Sequence, residues 1–369
     1  MTEDKLRPGI LVDRQIDALI AEGAIGAGAP FLEGQVQPAS LDLRLGEKAY
    51  RIRASFLAGK GATVAERLKD IALHEIDLTQ GAVFEAGCVY LVPLLEHLAL
   101  PKDIAGIANP KSSTGRLDVF TRLIADHGEA FDRVAVGYRG PIYTEISPRT
   151  FSIVARAGSR LNQMRFRRGS ALLDDVALAA LQGKARLVDG APDIENGIAL
   201  RADLTGDAKT GFIGYRAKRH VGLVDVDRVG AYAPLDFWEP LTARAGKTLI
   251  LDPNEFYILA SKEAVHVPAS HAAEMVPFNP LVGEFRVHYA GFFDPGFGSA
   301  ESEGVGSRGV LEVRSHEVPF VLEDGQIVGR LVYEHLAGTP SRLYGHGIGS
   351  SYQRQGLKLS KHFKVEASA

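Results

Sequence analysis

The stretch Asn109–Arg116 reads NPKSSTGR and follows the apolar run Ile104-Ala105-Gly106-Ile107-Ala108. It gathers a lysine, an arginine, hydroxyl side chains and a glycine into one turn-sized segment. Hydroxyls, backbone N–H groups and fixed cations all suit phosphate oxygens. Lys111, Ser112, Ser113, Thr114, Gly115 and Arg116 are therefore candidate phosphate ligands. Taken alone, the octapeptide fits a solvated polar turn as well, because short motifs recur by chance.

The rest of the composition narrows the chemistry. The chain has 369 residues, enough for more than one domain with its own core. A net charge of −3 gives no global basic field for nucleic acid or membrane, although a local basic site can still bind an anion. Cys88, the only cysteine, leaves no intramolecular disulfide and no multi-cysteine zinc site. It lies in a strand-like apolar run and reads as core. The N-terminus lacks a charged-then-apolar leader pattern, and no apolar run reaches the ~18 residues that span a bilayer. The expected location is the cytoplasm. Forty glycines favour a turn-rich β architecture.

The elements that must position the octapeptide occur twice. FEAGCVYLVPLLEHLALP (84–101) lies against LDPNEFYILASKEAVHVP (251–268), so that Tyr90 matches Tyr257. LVDRQIDALI (11–20) resembles LLDDVALAAL (172–181), and QPASLDLRLG (37–46) resembles GIALRADLTG (197–206). Asn109-Pro110 falls on Asn279-Pro280, Arg116 on Arg286, and GPIYTEIS (140–147) on RGVLEVRS (308–315). The common order implies two related domains, 1–168 and 169–369. Each opens with an amphipathic helix, the first with Ile16, Leu19 and Ile20 on one face and Asp13 in its early turn. Short strands broken by Gly, Pro, Asp and Asn follow, as in a sandwich or distorted barrel. Segments 56–72 and 206–248 fit the repeat poorly and read as insertions with some helix.

The order of a VDRQI helix, QPASLDLRLG, PKSSTGR, a hairpin and a Glu-bearing strand resembles the deoxycytidine triphosphate (dCTP) deaminases of the deoxyuridine triphosphatase (dUTPase) superfamily, in a two-repeat version. FFDPGFG (292–298), EDGQIVGRLVYEHL (323–336) and SYQRQGLKLSKHF (351–363) extend the likeness over most of the chain outside the insertions. The resemblance implies a mainly β fold with some α, a tandem duplication of distorted β-barrel or jelly-roll-like domains. It implies hydrolysis of dCTP to dUTP and ammonia, at sites between neighbouring domains, without zinc and with Mg²⁺ accompanying the triphosphate. It further implies a homo-oligomer, a trimer by family analogy, with dTTP and dUTP as further possible ligands.

Deamination at C4 of cytosine needs an activated water and proton delivery to N3 and the leaving amine. Zinc deaminases build this from a His/Cys cluster, which one cysteine cannot supply. A carboxylate must then act as general base and return the proton as acid. Glu312 and, alternatively, Glu145 match the family position; for an isolated Glu in alternating sequence the plain reading is an outward-facing strand carboxylate.

By the same resemblance Ala290, Asp294, Val310 and Leu311 belong to a base and sugar pocket, with Asp294 accepting from the deoxyribose 3′-hydroxyl. Tyr344, Tyr352 and Gln355 belong to a closing tail; Ser112 and Arg116 also assist catalysis. The two copies have diverged in complementary ways. Copy one keeps Lys111, Ser112, Ser113 and Arg116 where copy two has Leu281, Val282, Gly283 and Arg286. Copy two keeps Asp294 where copy one has Ala135. The expected site therefore takes its phosphate cradle from copy one and its hairpin and Glu312 from copy two. Apart from the resemblance, the tail is terminal, polar and glycine-containing, which reads as disorder. Alternatives are a dUTP diphosphatase, a bifunctional enzyme favoured by GYRG (137–140), and a non-catalytic nucleotide-binding module.

Overall fold

The computed structural model describes residues 7–207, 210–277, 285–287, 291–299, 306–315, 317–345, 352–353 and 355–365. The chain divides into two compact units, mainly β. Unit one comprises 1–171 together with 222–229 and 336–342; unit two comprises the remaining segments. No helix among the described residues is long and apolar enough to cross a membrane.

In unit one, one sheet is ordered Gly9–Ile10, Asn162–Arg168, Ile104–Pro110, Arg133–Val134, with Leu41–Leu43 also on Asn162–Arg168. A second is ordered Ala72–Asp77, Lys48–Ile52, Val89–Ala99, Arg139–Pro148, Val119–Ala125. Alternation along Arg139–Pro148 decides which side chains face where. The Thr144 hydroxyl reaches Asn162 Oδ1 of the first sheet at 3.0 Å. Glu145 therefore points to the opposite face.

The 56–72 insertion covers that opposite face. Its helix Val64–Ile71 is started by Thr63, which accepts from Glu66 N while the Glu66 carboxylate accepts from Thr63 N. Val64 and Ala58 pack on Ile52, Leu91, Ile124 and Tyr143, flanked by Phe56, Leu68 and Phe131.

Unit two repeats the plan. Ile198–Arg201, Ile327–His335, His271–Pro277 and Phe292–Phe293 form one sheet; Trp238–Thr242, Phe212–Ala217, Phe256–Val265, Ser307–Ser315 and Phe285–Val287 form a second. Leu200, Met275, Leu331 and Tyr333 from the first meet Ile213, Leu259, Leu311 and Val313 from the second in a fully buried core.

Strand register defines the duplication. Tyr90 and Tyr257 hold equivalent places: Tyr90 lies opposite Ile146 and takes a bond from Glu85 N, Tyr257 lies opposite Val313 and takes one from Asp252 N, both at 3.0 Å. Arg44 N and Arg201 N each donate at 2.8 Å to a glutamate, Glu96 or Glu263, and each guanidinium pairs with the same carboxylate.

The register corrects four of the sequence matches. Leu41 lies opposite Met164 and Ile198 opposite Leu331, while the Leu11 and Leu173 amides reach Phe166 O and Tyr333 O. Asp42 thus corresponds to Ala199, three residues from the ungapped match, and Leu11 to Leu173 rather than Leu172. Pro110 lies opposite Asn162 as Pro277 lies opposite Gly329, so Asn109-Pro110 corresponds to Val276-Pro277. Arg286, opposite Arg314, stands at the place of Phe120, opposite Ser147, and not of Arg116. Similarity scored without gaps tolerates a slip that hydrogen-bonded strands do not, because an odd shift reverses every face.

Candidate active site

The cradle grows out of the strand Ile104–Pro110. Lys111 is extended and its carbonyl accepts from Thr114 N at 2.8 Å and Gly115 N at 3.0 Å, which winds Ser112–Gly115 into one helical turn. Lys111 N and the Thr114 hydroxyl both donate to Leu161 O at 2.9 Å. Thr114 thus braces the turn from inside. Ser113 and Arg116 are buried as well. The Lys111 ammonium pairs with buried Asp42, whose carboxylate also lies 3.4 Å from Arg160. Asp42 drew no attention in the sequence. Its signal is a joint loss: where copy one has Asp42 and Lys111, copy two has Ala199 and, in the stretch after Pro277, no lysine.

The hairpin expected to hold base and sugar begins at Phe292–Phe293, which pairs with Glu274 and Ala273. In copy one Arg133–Val134 pairs with Ile107 and Gly106 in the same way. Ala135 therefore occupies the place of Asp294. Asp294 is buried. The turn after it requires glycine twice: Gly296 has φ +97° with Tyr344 N 3.0 Å from where a Cβ would stand, and a Cβ on Gly298 would come within 2.1 Å of Val265 O.

The tail docks on this turn. Tyr344 N donates to Pro295 O at 2.8 Å, and its ring lies 5.6 Å from Phe297. Gln353 accepts from Gly298 N at 3.0 Å and donates to Gly296 O at 3.2 Å. Gln355 exchanges two 2.9 Å bonds with the Arg308 backbone at the start of the Glu312 strand. Tyr352 N donates to the Tyr344 hydroxyl at 3.2 Å, and the Tyr352 hydroxyl accepts from Lys361 N at 3.1 Å. Further on, Phe363 lies among Tyr232, Phe237 and Trp238 at centroid distances of 5.4–6.4 Å. The 206–248 insertion supplies that aromatic cage. The described tail residues are therefore ordered by specific bonds, contrary to the disorder their composition suggests. Sequence reading singled out Gln355 and passed over Gln353, which holds the turn itself.

Glu312 is buried on Ser307–Ser315 opposite Ile258, which in turn lies opposite Tyr215. Directly paired residues share a face, so these side chains line one surface, away from the core residues Leu311 and Val313. Val310 is buried and Leu311 has its side chain in the core. Ala290 lies outside the described residues, as do Leu281, Val282, Gly283 and the Asn279-Pro280 pair.

Glu145 is committed differently. Its Oε1 accepts from Arg122 Nε at 3.1 Å and Nη2 at 2.5 Å. Arg122 also donates to Ser55 and lies 3.8 Å from the Phe131 ring centroid. Nearby Asp132 has φ +60° and accepts from Leu123 N at 2.7 Å. Burial drives the Asp132 pKa up to about 7, against the lowering by that bond and by Arg122 and Arg133.

Two family models divide the chain between them: the N-terminal domain of 2′-deoxycytidine 5′-triphosphate deaminase matches residues 7–170, and the C-terminal domain matches 174–363. This chain belongs to the dCTP deaminase family. A solved dCTP deaminase from Agrobacterium tumefaciens is similar over 89% of this chain and 99% of its own, with 61% identity and a TM-score of 0.87. The "dCTP deaminase, dUMP-forming" of Parafrankia sp. is 32% identical over 160 residues, 42% of this chain and 74% of its own. The dCTP deaminase of Halorubrum lacusprofundi is 30% identical over 161 residues, 42% of this chain and 76% of its own. As a dCTP deaminase the chain is an enzyme that acts on a nucleotide, and it has the tandem β architecture that its repeats suggested.

Proposed function

We propose that this enzyme hydrolyses dCTP to dUTP and ammonia, with Glu312 as the general base. The observation that supports Glu312 is the contrast between two glutamates at one register position. Glu145 is bound by Arg122 beneath the insertion. Glu312 instead shares its strand face with Ile258 and Tyr215, on the side turned away from the core. Copy two also keeps Asp294 and the docked tail.

In this reading Glu312 takes a proton from water as the oxygen attacks C4. The carboxylic acid then returns it towards N3 and the departing amine, so that dCTP and water become dUTP and ammonia. A carboxylate suits both halves of that exchange, since it accepts a proton as base and returns it as acid. Asp294 accepts from the deoxyribose 3′-hydroxyl. Lys111, Ser112, Ser113 and Arg116 hold the triphosphate, with Mg²⁺ arriving on its oxygens. Cradle and hairpin come from neighbouring domains of a homo-oligomer, which also suits the complementary divergence of the repeats. Release of dUTP would feed dUMP and dTTP synthesis in the cytoplasm.

A second reading is direct formation of dUMP. The name of the Parafrankia relative favours it, as does GYRG in copy one. The deciding experiment incubates purified enzyme with dCTP and Mg²⁺ after removal of transition metals, and follows ammonia and nucleotides together. Ammonia with dUTP supports the first reading. Ammonia with dUMP and pyrophosphate supports the second. Dependence on stoichiometric zinc overturns the carboxylate mechanism.

A further inference from the structure

The turn after Asp294 has the same backbone bonds as its counterpart in copy one, and a different closure. Phe297 N donates to Asp294 O at 3.1 Å and Val267 N to Phe297 O at 2.8 Å. In copy one Tyr138 N donates to Ala135 O at 3.2 Å and Leu100 N to Tyr138 O at 2.9 Å. Phe297 and Tyr138 therefore hold one position. The Tyr138 hydroxyl donates to Pro141 O at 2.5 Å and accepts from Asp126 N at 3.1 Å, so the hairpin of copy one is tied by its own side chain. Phe297 has no hydroxyl. In copy two the side chain of Gln353, 57 residues along the chain from Gly296, spans the turn instead: it accepts from Gly298 N at 3.0 Å and donates to Gly296 O at 3.2 Å.

We infer that Gln353 is a positioning residue for Asp294, acting through this turn on recognition of the deoxyribose 3′-hydroxyl. A primary amide offers an acceptor and donors in one plane, so its bonds to Gly298 N and Gly296 O fix two backbone groups of the turn at once. On its other side the turn is held by Val267, whose carbonyl accepts from Gly296 N at 3.0 Å. Tyr344 N, on Pro295 O at 2.8 Å, adds a second bond from the tail. Asp294 opens this turn and is buried, so a displacement of the turn carries its carboxylate along. The same hairpin forms in copy one with Ala135 in place of the acid and Tyr138 as its brace. The fold of the turn thus does not itself call for an amide from the tail. Acid and amide occur together in the copy expected to bind the sugar, which links Gln353 to the placement of Asp294. The inference rests on the proposal that Asp294 accepts from the 3′-hydroxyl.

The test measures kcat/KM for dCTP and for 2′,3′-dideoxycytidine triphosphate, with Mg²⁺, in the full-length parent, Asp294→Ala, Gln353→Met and Asp294→Ala/Gln353→Met. The parent should prefer dCTP by at least about ten-fold, since a site built to bond a hydroxyl rejects the analogue without it. Asp294→Ala should bring that ratio close to one. Gln353→Met keeps the length of the side chain and removes both bonds. It should shrink the ratio at least about three-fold, with less than about a two-fold change for the dideoxy substrate. In the Asp294→Ala background it should add less than about two-fold to the loss with dCTP, because residues acting through one another are not additive. Gln353→Glu keeps the acceptor for Gly298 N and loses the donor to Gly296 O. It should move the ratio in the same direction, and it decides the matter if Gln353→Met does not fold. A parent ratio near one, or a ratio that survives Asp294→Ala, would remove Asp294 from the 3′-hydroxyl and the inference with it. If Asp294→Ala abolishes the preference and the Gln353 variants retain it, the role of Gln353 is refuted while the reading of Asp294 stands. An equal loss with both substrates, or full additivity in the double variant, would mark Gln353 as a stability residue only and overturn the inference.

Discussion

Glu145 lies opposite Leu91 and Glu312 lies opposite Ile258, each one step from the cross-strand pair that contains Tyr90 or Tyr257. One ancestral position has thus been kept as a carboxylate in both repeats and placed in two settings. In copy one Arg122 faces the carboxylate across the strands, and Phe131 and the insertion cover the pair. A charge held in that way is structural, and the ion pair is what makes its burial tolerable.

Replacing Arg122 with alanine should therefore destabilise the protein by about 3–5 kcal/mol, since it leaves the Glu145 carboxylate buried without its partner. Denaturant unfolding measures this. Adding Glu145→Gln to Arg122→Ala should recover part of the loss. A cost below about 1 kcal/mol would show that the pair is solvated, as exposed ion pairs are.

Asp132 should make stability depend on pH. Its folded pKa of about 7 lies above the ordinary aspartate value of 3.8. Between those values the folded state holds a proton that the unfolded state has lost, so stability falls as pH rises from about 4 to about 7 and stays lower above that. Asparagine tolerates the positive φ and keeps the acceptor for Leu123 N. Asp132→Asn should match the parent near pH 4 and exceed it at pH 8, by at most roughly 4 kcal/mol for a full three-unit shift. Parallel unfolding curves for the two proteins from pH 4 to 8 would contradict this.

The cradle predicts a loss of substrate handling. Arg116→Ala or Ser112→Ala should cost on the order of 2–3 kcal/mol in kcat/KM for dCTP, the range of charge-assisted bonds. Arg116 is buried, so thermal melts must accompany the kinetics. A folded Arg116→Ala enzyme with unchanged kcat/KM would remove Arg116 from the site.

The octapeptide after an apolar strand, the duplicated tyrosines and the DPGFG turn could all be read from sequence, because each is a local pattern. The pairing of Lys111 with Asp42 could not, since it joins residues 69 positions apart through a strand register. The ungapped match of QPASLDLRLG hid it further by placing Asp42 three residues from its true counterpart, Ala199. Composition alone misleads about the tail for a related reason. Its order comes from Gly296, Gly298 and Arg308 backbone groups and from an aromatic cage in an insertion, and none of these shows in the polarity of the tail itself. The insertion over Glu145 looked like an interruption of the repeat, and its function depends on the face it covers.

The central claim, that one glutamate of the duplicated pair does the chemistry, is tested most directly by dCTP turnover at saturating substrate for Glu312→Gln and Glu145→Gln. Glutamine keeps size and hydrogen bonding and removes the base. Glu312→Gln should lose at least ~10²-fold in kcat, with an unchanged melt, while Glu145→Gln should change turnover only a few-fold. The reverse ranking, or equal loss from both, would contradict the assignment.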